Sequence, residues 1–191
     1  MIMTKRMFSK FLPAAAIIAA SGCGKSEPAG SITPQAMADG LYAVMAADRA
    51  VYTREVIARL QDEEGVIKAS EHFKDDKALP LPAQMFRMGA ETVHKQSPGF
   101  TYALLSQWPI NKQNLPRTEV EKAGLRSVAE SGKPFYGEET LAGTRYFTAV
   151  YADRAVSTAC ASCHNGHRDS PKHDFKAGDT LGGVVIRIAL K

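Results

Sequence analysis

The chain has 191 residues, room for one domain with a tail, and its 45% hydrophobic content supports a sizeable core. Its net charge of +4 owes most to Lys5, Arg6 and Lys10 in an acid-free start. From Cys23 onward 21 basic residues face 20 acidic ones, so the basic pI near 9.0 is no argument for a nucleic-acid partner.

Residues 1–22 read as an export signal: the basic MIMTKRMFSK runs into FLPAAAIIAA and then small residues. That apolar run falls far short of the roughly 20 residues a spanning helix needs, and Pro13 weakens it further. ASGC at its end resembles the bacterial lipobox, with Cys23 as the lipidated first residue of the mature chain and Ala20 where leucine is preferred. Gly24 rather than aspartate resembles the outer-membrane sorting pattern more than the inner one. The expectation is a periplasmic protein held to a bacterial membrane by lipid. Residues 23–33, rich in Gly, Ser and Pro, suit a flexible tether, and the folded domain is expected over 34–191.

A long first helix is predicted from Pro34 to Glu64. Thr33 caps it, Pro34 suits its first position, and Gly65 ends it. Met37, Leu41, Met45, Tyr52, Val56 and Leu60 follow helical spacing, interrupted by Asp48. EHFKDDK reads as an exposed loop, and a second helix runs from near Pro82 to just before SPG. FTYALLSQW has strand composition, and PINKQNLP is a loop. Thr118 with Glu121 forms a capping box that opens a short helix closed by Gly132. PFYGEE and TRYFTAVY follow as strands joined through TLAG. In GGVVIRIAL, Val184, Ile186, Ile188 and Leu190 alternate with Val185, Arg187 and Ala189, as a half-buried strand should. Helices first, then strands with one helix, predict an α+β fold with an antiparallel sheet.

The chemistry is concentrated in STACASCHNGH. Cys160, Cys163 and His164 form C-x-x-C-H, the c-type haem attachment pattern. Two thiols at that spacing can add to the two vinyl groups of one porphyrin, and the adjacent histidine is carried beneath the ring to the iron. A redox dithiol is one rival. Zinc is the more serious one, because Cys160, Cys163, His167 and His173 are four ligand types at short spacing. Haem is favoured because the histidine directly after the second thiol has no role in a disulfide and is poorly placed for zinc. An exported chain also suits c-type assembly, and lipidated Cys23 plus two thioethers would account for all 3 cysteines.

LPAQMFRMGAE, ALLSQWPINKQNLPRTEVEKAGL, YFTAVYADRAV, CASCHNGHRDSP and GDTLGGVVIRI follow one another in an order that resembles a known family. This is the PAS-like, single-haem c-type sensor domain family of bacterial chemoreceptors, histidine kinases and stand-alone exported proteins. The resemblance runs from about Gly40 to Leu190. It implies a PAS-like antiparallel sheet flanked by helices, with one covalent haem c on Cys160 and Cys163 and His164 as proximal iron ligand. For the distal position Met85 and Met88, about one turn apart on the second helix, are candidates; a second histidine or an open site is the alternative. Some relatives use a distal cysteine, but no further cysteine stands in this domain.

Of the remaining histidines, His72 falls in a charged loop, His94 near a helix end, and His167 and His173 in a polar loop. Arg145 and Arg187 are candidate partners for haem propionates, and the aromatic residues at 146, 147 and 151 belong to the core or to the haem pocket. These features lead to a haem-based module sensing redox state or a diatomic gas such as nitric oxide, acting through a separate redox or signalling partner. The alternative is a lipid-anchored monohaem electron-transfer cytochrome c. An enzyme is not expected, since no distal acid–base pair, G-x-S-x-G or phosphate loop is present. A homodimer through the long first helix is left open.

Overall fold

The computed structural model of the protein describes residues 30–96 and 99–190; the expected export signal, Cys23 and the first part of the expected tether lie outside them. The entry helix α1 spans Pro34–Val51, with the Thr33 side chain accepting the Ala36 amide and Pro34 in the first turn. The same helical run then continues over Tyr52–Glu63 in a wider π-helical register. Its last amides reach five and six residues back, Glu64 to the Arg59 carbonyl and Val66 to that of Leu60, before Gly65 (φ 64°) ends it. The widened turn departs from the 3.6-residue period expected over the whole run, and Ile57 becomes its buried residue.

After it come two two-residue strands, β1 (Ala69–Ser70) and β2 (Leu79–Pro80), paired in parallel around the EHFKDDK turn. Helix α2 spans Pro82–Gln96 and strand β3 Phe100–Leu105. A short 3-10 turn at Lys112–Asn114 interrupts the following loop. Helix α3, Glu119–Ser131, has the full capping box: Thr118 accepts the Glu121 amide and the Glu121 carboxylate accepts the Thr118 amide. Gly132, left-handed at φ 66°, closes α3. Strands β4 (Phe135–Leu141) and β5 (Thr144–Arg154) form a hairpin whose ladder runs on to Leu141↔Thr144. Only Ala142 and Gly143 therefore turn, where a four-residue connection was expected. Helix α4, Thr158–Gly166, and strand β6, Thr180–Ala189, complete the chain.

The main sheet has the order β3-β6-β5-β4 and is antiparallel throughout. An α+β fold with a PAS-like antiparallel sheet, flanked by helices and entered through a long helix, is what the sequence led us to expect. One difference lies in β6. The alternation predicts a half-buried strand, but Val184, Val185 and Ile186 are all buried because β6 is central and both faces are covered. Ala38 of α1 and Phe86 of α2 pack with Ala149, Tyr151, Val184, Ile186 and Ile188 on one face. Leu125 and Val128 of α3 pack with Leu105, Val150 and Val185 on the other.

Helix α3 sits close. A Cβ on Gly124 would lie 2.5 Å from Val150 Cγ2, and a Cβ on Gly182 of β6 would lie 2.4 Å from the Leu105 carbonyl oxygen. Beneath α3, Arg187 is held by Glu121 (2.5 Å) and Glu139 (2.7 Å), whose side chains are 4% and 6% exposed. Its Nε and one terminal nitrogen are thus engaged by two buried carboxylates. Arg145 likewise pairs with Glu138 at 2.8 Å on the exposed part of the hairpin.

Candidate haem-binding site

The C-x-x-C-H motif forms α4, a helix the sequence reading left unassigned. Its start is capped by Ser157 without a side-chain bond to the helix; the Ser157 hydroxyl instead lies 3.4 Å from Cys160 Sγ. Cys160 and Cys163, three residues apart on the helix, share one side of it. Both are free thiols, Cys160 half-buried and Cys163 exposed. Cys160 packs against a small cluster of Ala155, Ala161, Phe175, Leu181 and Trp108 at the end of the sheet.

His164 is half-buried, with the Phe175 ring edge-on at 5.7 Å. Its Nδ1 is buried without a hydrogen-bond partner. Burial pushes the imidazole pKa below its usual value; the Asp153 charge opposes this and His167 reinforces it. The ring is therefore neutral near pH 7, the form in which histidine binds metals. A neutral, incompletely satisfied imidazole next to two free thiols fits the donor set of a covalently held haem. The rival zinc site has no geometric support, since no three His, Cys, Asp or Glu side chains converge among the described residues.

The loop after α4 is tied back on itself. Asn165 Nδ2 donates to the Phe175 carbonyl (2.9 Å) while its Oδ1 accepts the Phe175 amide (2.9 Å), which holds Phe175 against His164. The Asn165 carbonyl also meets His173 Nδ1 at 2.7 Å. His167 accepts the Asp169 amide at Nδ1, so in the neutral ring the proton sits on Nε2, which donates to Glu71 at 3.2 Å. The Glu71 carbonyl in turn accepts from Gln84 at 2.7 Å. His167, expected to be solvated, thus links the haem motif to the first turn of α2.

That linkage bears on Met85 and Met88. The buried stripe of α2 is Phe86 and Ala90; Met85 is half-buried and Met88 is 40% exposed, so neither belongs to that stripe. His72 is exposed beside Glu71, and His94 lies in the last turn of α2.

Two polar side-chain groups escaped the sequence reading. Arg49 binds Asp153 through both arms (2.7 and 3.4 Å) and lies over the Phe86 ring at 5.7 Å, joining α1, α2 and β5. Asp48, read as the break in the helix stripe, is simply exposed, and its neighbour turns inward. The hydroxyls of Tyr136 and Tyr151 both donate to Asp39 Oδ1 (2.8 and 2.6 Å), while Tyr42 stacks on Tyr151 at 4.1 Å. Burial, then the Asp39 carboxylate, pushes the Tyr151 pKa far up, so it stays a donor. Of the aromatic residues expected in core or pocket, Tyr151 and Phe147 join this face of the core.

An antiparallel sheet of this order, a long entry helix and a late C-x-x-C-H helix together define a PAS-like α+β domain. The chain belongs to the Tll0287-like family, whose model matches residues 32–189. Among solved structures it is similar to the cyanobacterial heme-protein Tll0287, at 12% identity with a TM-score of 0.54, covering 84% of this chain and 98% of that one. At that identity the likeness speaks for the fold. No curated protein matches the chain.

Proposed function

We propose that the protein is a c-type haem protein, exported and lipid-anchored through Cys23, that serves as a redox- or gas-responsive module for a separate partner. The observation that carries the reading is His164: neutral, half-buried, lacking a partner at Nδ1 and flanked by two free thiols on one helix. The family, and the similarity to a protein known as a heme-protein, point the same way. Cys160 and Cys163 would hold one haem through thioethers, and His164 would be the proximal ligand. When bound, the haem supplies a one-electron couple and, if its sixth position is open, a site for a diatomic gas.

The chain's own residues do the rest. Phe175, pinned by Asn165, fixes the plane of the imidazole. Asp153 sets negative charge near the ring, and Arg49 tempers it. Met85 or Met88 of α2 would supply the sixth ligand; a second histidine or an open site is the alternative.

A second reading, a membrane-tethered electron-transfer cytochrome, is favoured by the aromatic contact leading from His164 through Phe175 to Trp108 (5.7 and 5.9 Å). The deciding test is the ferric and ferrous absorption spectrum of the c-type-matured protein with and without nitric oxide or carbon monoxide. A prompt ferrous shift with gas supports sensing; ferrous spectra that ignore both gases support electron transfer.

A further inference from the structure

Two shallow clefts lie side by side along α3. Trp108, Ala129, Arg154, Lys172 and Phe175 line the first, and Gln107, Leu115, Lys122 and Arg126 the second. Gln107 and Trp108 are consecutive, and Arg126 and Ala129 fall on successive turns of α3, so the clefts form one furrow. Its apolar lining includes Trp108, Phe175 and Leu115, the last 43% exposed. Lys172 Nζ lies over both rings, 5.6 Å from Trp108 and 4.9 Å from Phe175.

The charge is asymmetric. Segments 107–133 and 168–180 with Arg154 carry nine basic against six acidic residues, and the remainder from Cys23 onward carries twelve against fourteen. The lining itself sets Lys122, Arg126, Arg154 and Lys172 against Asp179. Asp174 pairs with Lys172 and Glu119 with Lys122; Arg126 stands exposed on α3. Beneath, Phe175 meets Trp108 edge-on at 5.9 Å and His164 at 5.7 Å. The face that attracts acidic surfaces therefore has an aromatic path to the histidine of the haem motif.

We propose that this furrow docks an acidic one-electron redox protein, with Trp108 at the point of contact. The proposal rests on the haem reading above. Tryptophan and arginine are the residues on which interfaces concentrate their energy, and rim charges mainly speed encounter. A shallow furrow suits the small, short-lived contacts of electron-transfer pairs. In the exchange the partner's reduced centre loses one electron and the haem gains it; no bond forms or breaks and no proton moves.

The test is stopped-flow reduction of the ferric, haem-loaded protein by a reduced plant-type [2Fe–2S] ferredoxin chosen for an acidic surface. Wild type is compared with R126E and R126E/K172E at low and high ionic strength. The expected result is a rate constant that falls with salt in wild type and is lower by about tenfold or more in the double variant at low salt. Reduction by a neutral small reductant and the midpoint potential should stay unchanged. Trp108 is the chain's single tryptophan, so its indole N–H resonance gives a readout free of turnover. Anionic hexacyanochromate(III) should broaden it in wild type but not in R126E/K172E, and cationic hexaamminechromium(III) should not broaden it in wild type. R126E changes only an exposed position and covers the case of a misfolded double variant.

Rates that ignore both charge reversals would overturn the proposal, as would an indole signal indifferent to the anionic probe. So would charge-dependent binding to phosphatidylglycerol vesicles with ferredoxin rates unaltered, which would assign the furrow to lipid. A matured protein without covalent haem absorbance defeats the underlying reading before any rate is taken. Haem-loaded protein with unaltered rates defeats the furrow alone.

Discussion

His164 makes sense only in a protein that will use it. A buried imidazole nitrogen without a partner costs about 1–3 kcal/mol, and a polar ring in that position adds nothing to packing that leucine would not. In the haem-free protein, His164→Leu is therefore expected to leave stability equal or raise it. In the matured protein the same change should displace the visible absorption bands while the haem stays covalently attached. Denaturant melts and absorption spectra of the two forms check both halves. The sign of the pH effect follows from the depressed pKa. Below about 6.5 the unfolded chain takes up a proton that the native ring refuses. The haem-free wild type should lose stability as pH falls through that window, more steeply than His164→Leu.

Glu139 works in the opposite sense. Burial would raise its carboxyl, but hydrogen bonds from Arg187, Thr118 and Thr148 and the Arg187 charge outweigh it and leave it below the usual range. Its contribution is present above the ordinary glutamate pKa and lost as pH falls through the lower native one. The chemistry-bearing triplet Cys160, Cys163 and His164 could be read directly, because C-x-x-C-H names its own geometry. Arg49, Asp153 and Asn165 could not, because their roles depend on distant chain segments meeting. The ion pairs of Arg187 were hidden for the same reason: the two glutamates that hold it come from α3 and β4.

At the scale of elements, α3 carries the clearest local instructions. Thr118, Glu121 and Gly132 mark both ends, and the helix begins and stops where they predict. Thr118→Ala should cost about 1 kcal/mol for the lost cap, and more if Glu139 also misses its donor, measurable by chemical denaturation. The underside of α3 is dictated by packing. A methyl on Gly124 would meet Val150 Cγ2 at 2.5 Å and Phe135 Cδ1 at 2.9 Å, so Gly124→Ala should destabilise by about 1–3 kcal/mol despite alanine's better helix propensity.

Other elements were less legible. TACASCHNG has little apolar periodicity, and α4 is tied at its end by the Asn165–Phe175 clamp. The alternation in β6 was real, yet it marked two buried faces, because α3 covers the side that alternation assigned to solvent. The π-helical turn of Tyr52–Glu63 has no period-based signature in the sequence. What it accompanies is the arrival of the Tyr52 hydroxyl on the Pro80 carbonyl at 2.7 Å.

For the whole molecule, the division of labour follows the sheet. α1 and α2 close one face and α3 the other, while the motif helix sits at the end where β5 turns away and the register with β6 shifts at Asp153/Arg154. That bulge sends Asp153 to Arg49 and Arg154 toward the Gly178 carbonyl (3.0 Å), so one irregularity serves both the motif side and the furrow side. The α+β class and strand sequence were readable from composition shifts and turn residues; which face each helix covers was not, since that depends on crossings between segments far apart in the chain.

The central claim is that Cys160 and Cys163 hold a haem covalently, with His164 below it. It is tested most directly by the denatured mass of the chain after export in a host with c-type maturation, beside Cys160→Ala and Cys163→Ala. The account predicts a wild-type chain heavier by one haem, still coloured after denaturation, and a double variant that carries none. A wild-type chain at its bare polypeptide mass, or a double variant that keeps the added mass, would contradict it.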